Sequence, residues 1–175
     1  MTMFDMNGMI APDKLSDGLF EHAPASNCLI PMGLTSENVC EKFGLNRQKL
    51  DQFAYESHMK ALHAQKMGYF AKEIVPIKVT RTDKDGNETQ VLVEHDDGIR
   101  PKTTVERLAK LKPAFKKDGM TTAGNSSQVT DGAAAVLMRR RRLADKLGLK
   151  VLGKFLSHAA GGVPPEIMGI GPAYA

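Results

Sequence analysis

The chain has 175 residues, of which 42% are hydrophobic and 25% charged, and its formal net charge is +4. This length and composition are typical of a soluble globular domain with a buried core, and they exclude a chain that is disordered throughout. No apolar run approaches the roughly 18 residues of a membrane span, and two cysteines without a recognisable secretory signal exclude a disulfide framework. We therefore expect no membrane partner and a reducing compartment.

The first 27 residues are rich in Met, Gly, Asp and Pro and show little periodicity, so we expect an irregular arm at 1–27. Thr35 and Ser36 are of the types that cap helices, and we predict a short helix running from them to about Phe43. Gly44 then stands where helices commonly end in the left-handed conformation.

A longer helix follows, capped by Asn46 and ending at Gly68. Its apolar and small residues recur at the i, i+3, i+4, i+7 spacing of a narrow buried face. That predicted face consists of Leu50, Phe53, Ala54, Ser57, Ala61 and Ala64.

Two segments rich in Val, Ile and Thr come next, at 73–80 and 88–95. The Lys-Asp-Gly-Asn sequence between them is typical of a tight turn, so these segments predict a β-hairpin. Thr103 and Glu106 then match the capping box of another short helix, which Pro113 ends or kinks.

The stretch at 120–138, MTTAGNSSQVTDGAAAVLM, joins a loop of small and hydrogen-bonding residues to an apolar run. Such a loop lets the amide groups of a ligand approach closely, although a plain polar turn before a buried strand is the alternative. We predict a buried strand at 133–138, a helix at 139–147 and a second strand at 151–159. This strand-helix-strand unit indicates an α/β fold.

Together with this stretch, five further segments match the sequence pattern of one protein family. They are CLIPMGLTSENV from Cys28, DQFAYESHMKALHAQKMGYFAKEIVPI from Asp51, DDGIRP from Asp96, LAKLKPAFKKDG from Leu108 and GVPPEIMGIGPAYA from Gly162. In this order, and over most of the chain, they resemble the thiolase family, in particular its peroxisomal 3-ketoacyl-CoA thiolases.

The resemblance implies a thiolase-like α/β fold, present here in part. The matching segments of thiolases belong to a loop domain that projects from the core and to the opening of the second of two similar halves. We therefore expect a helical and hairpin loop domain that binds coenzyme A (CoA) at 28–119, and the start of the C-terminal half at 120–175.

The resemblance also implies acyl transfer between 3-ketoacyl-CoA and CoA in fatty-acid β-oxidation. In the family, a cysteine thiolate takes the acyl group while a histidine and a second cysteine assist. The motifs that carry these groups, similar to QCSSG, NEAF, GHP and CxG, do not occur in this sequence, and neither Cys28 nor Cys40 has matching neighbours. We expect a fragment without catalytic residues that is inactive alone.

The sequence retains residues that, in the family, hold CoA, which is a substrate there and not a cofactor. By their position in the motifs, the implied contacts to CoA or acyl-CoA are Met32, Arg100, Phe115, Ala123 and Ser127. Arg100 would meet the nucleotide end, Phe115, Ala123 and Ser127 would meet the pantetheine arm, and Met32 would make an apolar contact. Without the resemblance, Arg100 is a loop charge, Phe115 a core side chain and Ser127 a helix cap.

Other functions remain as alternatives. The chain could be a non-catalytic module that holds CoA or pairs with a thiolase. The four arginines at 139–142 permit nucleic-acid binding, but aromatic residues are scarce at 6% with no Trp, so we expect no nucleic-acid partner. The five histidines lack ligand spacing, and we expect no metal site. By family resemblance the location is peroxisomal, with the cytoplasm as alternative, and the full-length protein is a homodimer.

Overall fold

The structure, a computed structural model, describes residues 15–128, 130 and 132–175. The chain divides into two compact units. One unit is Pro31–Ser127, and the other combines residues 15–30 with the described residues of Gln128–Ala175. The predicted arm at 1–27 lies partly outside the described residues. Its described part contains a 3-10 turn at Asp17–Leu19 and a short helix, α1, at Ala23–Asn27. The domain boundaries predicted at 27/28 and 119/120 stay predictions.

The first helix of the unit Pro31–Ser127 is α2, at Met32–Phe43. It begins before the predicted caps, because the backbone already turns helical after Pro31, and Thr35 lies inside the helix with its hydroxyl donating to the carbonyl of Met32 at 2.9 Å. The predicted start is therefore wrong by one turn. Its predicted end is confirmed: Gly44 takes the left-handed conformation at φ 62°.

The longest described helix, α3, spans Arg47–Lys66 and is capped as predicted, since the side chain of Asn46 accepts from the amide of Lys49 at 2.9 Å. The predicted buried face is wrong in part. Phe53 is 75% exposed and Ser57 is also exposed, while Asp51 is only 1% exposed. The buried face of α3 is therefore rotated towards Asp51. Apolar periodicity does not detect this rotation, because the buried side chain is a carboxylate paired with Arg47.

The predicted hairpin is confirmed. Strands β1, Ile77–Thr82, and β2, Glu88–Val93, pair antiparallel in a register that runs from Ile77 opposite Val93 to Thr82 opposite Glu88. In the turn, the carboxylate of Asp83 accepts hydrogen bonds from the backbone amides of Asp85 and Asn87, both at 2.9 Å. The turn is therefore closed by an acidic side chain at its first position.

The next helix, α4, spans Val105–Ala109 and is capped by Thr104, whose hydroxyl accepts from the amide of Arg107 at 3.3 Å. The predicted cap, Thr103, is one residue early: its spacing from Glu106 matches a capping box, but the local backbone places Thr104 at the cap. Beyond α4, Pro113 forms an isolated antiparallel bridge with Thr122. This bridge brings the segment around Thr122 back to the end of α4.

The other unit contains α5 at Arg141–Lys146, a 3-10 segment at Pro165–Ile170 and α6 at Gly171–Tyr174. The predicted helix at 139–147 is confirmed, but no strand is found among the described residues at 133–138 or at 151–159. These segments have no pairing partner among the described residues, and their apolar side chains are exposed, with Val136 at 83% and Leu152 at 89%. Of the helices described, none is long and apolar enough to cross a membrane.

Candidate functional site

A buried carboxylate of α2 holds the beginning of the small-residue loop, which we define as residues 119–127. Glu37 is only 4% exposed. Its two oxygens accept from the amide of Met120 at 3.0 and 2.9 Å, and one of them also accepts from the amide of Thr121 at 2.7 Å. The hydroxyls of Ser36 and Thr121 lie 2.9 Å apart and share a hydrogen bond. Helix α2 thus fixes the backbone at the start of the loop.

A second buried carboxylate, from α3, holds the middle of the loop through Asn125. The side-chain amide of Asn125 donates to Asp51 and to the carbonyl of Met120, both at 3.0 Å. Its side-chain oxygen accepts from the amide of Thr122 at 2.7 Å. One side chain therefore ties α3 to two points of the loop backbone.

The charge of Asp51 is balanced by Arg47, one turn earlier on α3. The guanidinium of Arg47 lies 2.9 Å from the Asp51 carboxylate, and the side chain of Asp51 is 2% exposed. The same guanidinium donates to the carbonyls of Leu108 at 2.8 Å and Leu111 at 3.1 Å. Among the described residues no buried side-chain N or O atom is left unsatisfied, as the low dielectric of an interior demands.

Two glycines let the loop backbone lie close to its supports. A side chain at Gly119 would meet the carboxylate of Glu37, and one at Gly124 would meet the side chains of Leu108 and Leu111. The loop therefore needs small residues for its own packing at these two positions, in addition to any need that a ligand imposes.

All the residues implied to contact CoA belong to the unit Pro31–Ser127. Met32 is the first residue of α2 and is 64% exposed, and Phe115 is 46% exposed with its ring packed against Gly33. Ala123 and Ser127 are exposed on the small-residue loop, and Arg100 is exposed in the segment between β2 and α4. The structure thus associates Phe115 with the start of α2, and places Arg100 on a separate segment.

Sequence reasoning missed the residues that support the loop from behind. Arg47 and Asp51 have the i, i+4 spacing of a helical ion pair, which was a usable signal. Glu37 offered no such signal, because its partners are backbone amides 83 and 84 residues away in the chain.

The two cysteines differ in environment. Burial raises the pKa of the Cys40 thiol, and the nearby charge of Glu37 raises this pKa further. Cys40 is therefore a poor nucleophile, since the thiolate is the reactive form. Cys28 is exposed, and its thiol donates to the carbonyl of Pro24 at 3.4 Å.

The described residues contain no group of three or more His, Cys, Asp or Glu side chains that could hold a metal ion. In the other unit, basic side chains line an open surface depression together with one leucine. These residues are Arg140, Arg142, Leu143 and Lys146.

The chain is similar in sequence to a group of named enzymes. The family model of the thiolase N-terminal domain matches residues 5–142. The human peroxisomal 3-ketoacyl-CoA thiolase is 58% identical over 164 residues, which are 94% of this chain and 39% of that protein. The peroxisomal 3-ketoacyl-CoA thiolase of Yarrowia lipolytica is 57% identical over 174 residues, covering 99% of this chain and 42% of that protein.

Solved structures agree with this similarity. The dimeric peroxisomal thiolase of Saccharomyces cerevisiae matches with a TM-score of 0.82 and 47% identity, over 98% of this chain and 41% of that one. The human mitochondrial 3-ketoacyl-CoA thiolase matches with a TM-score of 0.73 and 38% identity, over 83% of this chain and 36% of that one. The chain therefore spans about two fifths of the length of these relatives. The predicted thiolase-like α/β fold is confirmed, and the chain belongs to the thiolase family.

Proposed function

We propose that this chain is the CoA-holding part of a 3-ketoacyl-CoA thiolase, an acyltransferase that exchanges acyl groups between 3-ketoacyl-CoA and CoA. The names of the relatives support this activity, together with a peroxisomal location. The dimeric Saccharomyces cerevisiae enzyme supports a homodimer for the full-length protein. CoA is a substrate in this proposal, and no resident cofactor is invoked.

One observation carries the proposal. The small-residue loop is held from behind by two buried carboxylates, while Ala123 and Ser127 are exposed on it. Pantetheine is a chain of amides and methylenes, so it needs hydrogen-bonding groups on a surface without bulky side chains. Backbone groups at Ala123 and the hydroxyl of Ser127 meet that need. A loop fixed before the ligand arrives also loses less conformational entropy on binding.

The remaining three residues supply the other kinds of contact. Met32 and Phe115 present apolar surface to the methylenes of the pantetheine arm. Arg100 presents an exposed guanidinium. Such a group can stack on adenine or pair with phosphate, so Arg100 would bind the nucleotide end.

The proposal is tested by calorimetric titration of the purified chain with CoA. Arg100→Ala should weaken CoA binding about tenfold through loss of a charge-assisted contact, whereas Arg81→Ala, which removes an exposed arginine from the hairpin, should not. Phe115→Ala should also weaken binding, and Phe53→Ala, which removes an exposed aromatic ring from α3, should not. Equal affinities for each variant and its control would contradict the proposed site.

Catalysis is expected to require groups that are not in this sequence. It has none of the family's motifs for the nucleophilic cysteine, the histidine and the second cysteine, and Cys40 is a poor nucleophile. The pure 175-residue chain should therefore show no CoA-dependent cleavage of acetoacetyl-CoA. Turnover above a protein-free control would contradict this part of the proposal.

The second candidate is an interaction module that pairs with a thiolase and holds no ligand. The exposed apolar side chains of 132–175, such as Val136 and Leu152, favour it because they offer a surface for association. The CoA titration separates the two candidates, since an interaction module would produce no binding heat with CoA.

A further inference from the structure

We infer that Asp51 and Asn125 are positioning residues, which set the small-residue loop in the conformation that binds the pantetheine arm. This inference rests on the proposed CoA-holding function. Neither residue is among the implied ligand contacts, and Asp51 is buried at 1% exposure, so it would act on the ligand only through the loop.

Asn125 is the central link because both hydrogens of its side-chain amide and its side-chain oxygen make hydrogen bonds. Its amide group donates to Asp51 and to the carbonyl of Met120, both at 3.0 Å, and its oxygen accepts from the amide of Thr122 at 2.7 Å. The loop backbone is thereby held at two points and tied to α3. Removal of this side chain leaves Asp51, the carbonyl of Met120 and the amide of Thr122 each without this hydrogen bond.

Arg47 orients the Asp51 carboxylate that accepts the hydrogen bond from Asn125. One carboxylate oxygen of Asp51 accepts from two guanidinium nitrogens of Arg47 at 3.2 and 2.9 Å. The other oxygen lies 3.4 Å from one of these nitrogens and accepts from Asn125 at 3.0 Å. Arg47 in turn is held by the carbonyls of Leu108 and Leu111. These hydrogen bonds through Arg47, Asp51 and Asn125, which we call the clasp, therefore link α3 and the end of α4 to the loop.

The exposed groups proposed to contact pantetheine stand two residues on either side of this clasp. Ala123 and Ser127 flank Asn125 at equal distance along the chain. Between them, the hydroxyl of Ser126 donates to the carbonyl of Thr122 at 2.6 Å, which closes a tight turn. A shift of Asn125 would therefore displace both contact groups together, and misplacement by about 1 Å is enough to weaken a positioned interaction.

The test compares two ligands, CoA and adenosine 3′,5′-bisphosphate, which is the nucleotide half of CoA. Asp51→Asn and Asn125→Ala should each weaken CoA binding about tenfold, the order expected when a buried hydrogen-bonding link is broken. Binding of adenosine 3′,5′-bisphosphate should stay unchanged, because the proposed nucleotide contact, Arg100, lies on a separate segment. Glu56→Gln, an exposed carboxylate on α3, is the matched control and should change neither affinity.

The double variant Asp51→Asn/Asn125→Ala should bind CoA no more weakly than the worse single variant, since both changes break the same link. Arg47→Lys keeps the charge but loses the guanidinium fork, so it should give a smaller loss of CoA affinity. This variant provides the test if the other variants do not fold.

Two outcomes overturn the positioning role and leave the proposed function standing. One is unchanged CoA affinity in Asp51→Asn, Asn125→Ala and Arg47→Lys while the unsubstituted chain binds CoA. The other is an equal loss of affinity for both ligands, which indicates a general loss of structure. If the unsubstituted chain binds neither ligand, the proposed function fails and this inference fails with it.

Discussion

The side-chain amide of Asn125 donates a hydrogen bond of 3.0 Å to the carboxylate of Asp51, 74 residues earlier in the chain. This contact joins the longest described helix to a loop that is built mainly of small residues. Thr122 and Asp51 are the largest side chains among the fully buried described residues. Polar contacts, which depend on direction, therefore define the loop geometry more closely than apolar packing would.

Truncation of Glu37 should destabilise the chain. Glu37→Ala leaves the part-buried amide of Met120 and the buried amide of Thr121 without an acceptor, and each buried group left unpaired costs about 1–3 kcal/mol. We expect the free energy of unfolding to fall by about 2 kcal/mol or more, measured by urea denaturation. The control is Glu41→Ala on the same helix, whose exposed ion pair with Lys116 contributes little. Equal midpoints for the two variants would show that the Glu37 contacts contribute nothing.

A methyl group at Gly33 should conflict with Phe115. The ring of Phe115 occupies the space that a β-carbon of residue 33 would need, and overpacking of this kind costs about 1–3 kcal/mol. Gly33→Ala should therefore lower the free energy of unfolding, even though alanine favours a helix over glycine by up to about 1 kcal/mol.

The double variant Gly33→Ala/Phe115→Ala isolates this conflict. It should be destabilised by less than the sum of the two single variants, because removal of the ring opens the space. Gly153→Ala, where nothing lies within 4 Å of the added carbon, is the control for a methyl group in open space. Strict additivity of the two changes would rule out the close approach.

The two thiols should react with 5,5′-dithiobis(2-nitrobenzoic acid) at different rates. Cys28 is exposed, whereas Cys40 is 5% exposed and burial raises its pKa. One thiol should be modified quickly in the native chain and the second only after denaturant is added. Cys28→Ser should abolish the fast phase. A fast phase that survives this substitution would mean that Cys40 is accessible.

The hairpin turn should loosen at acidic pH. Hydrogen bonds from the side chain and the amide of Asn87, with smaller contributions from the amides of Asp85 and Gly86, lower the pKa of Asp83. Because the folded pKa lies below the unfolded value of about 3.9, the stabilisation is present above that value and is lost as the pH falls through the folded pKa.

This loss can be followed through the NMR amide signals of Asp85 and Asn87, which donate to Asp83. Their signals should shift as the pH falls below about 4, and Asp83→Asn should remove that dependence. Asp97→Asn, at an exposed position outside the turn, should leave it intact. Shifts that persist in Asp83→Asn would assign the effect to another group.

Local chemistry predicted those elements whose signals are short-range. Three such signals each act within a few residues, so the sequence contains all that determines them. They are Asn46 as a cap, Gly44 as a helix end and the Asp-Gly turn of the hairpin. The strands predicted at 133–138 and 151–159 failed because a strand requires a pairing partner, which periodicity cannot supply.

The candidate site shows the same division between features that the sequence predicts and features that depend on distant partners. The motifs of the thiolase family supplied the implied contact residues, such as Ala123 and Ser127, and both are exposed on the loop. The supports behind them came only from the structure. Glu37 and Asp51 meet partners more than 70 residues away, and a helix sequence that contains a buried, paired carboxylate looks like one that contains a solvated carboxylate.

CoA binding is tested most directly by residue-resolved NMR of the isotope-labelled chain during titration with CoA. We expect amide shifts that saturate together and cluster at Met32, Arg100, Phe115, Ala123 and Ser127. Spectra that do not change with CoA, or changes confined to the arginines at 139–142, would contradict the claim that this part of a thiolase holds CoA.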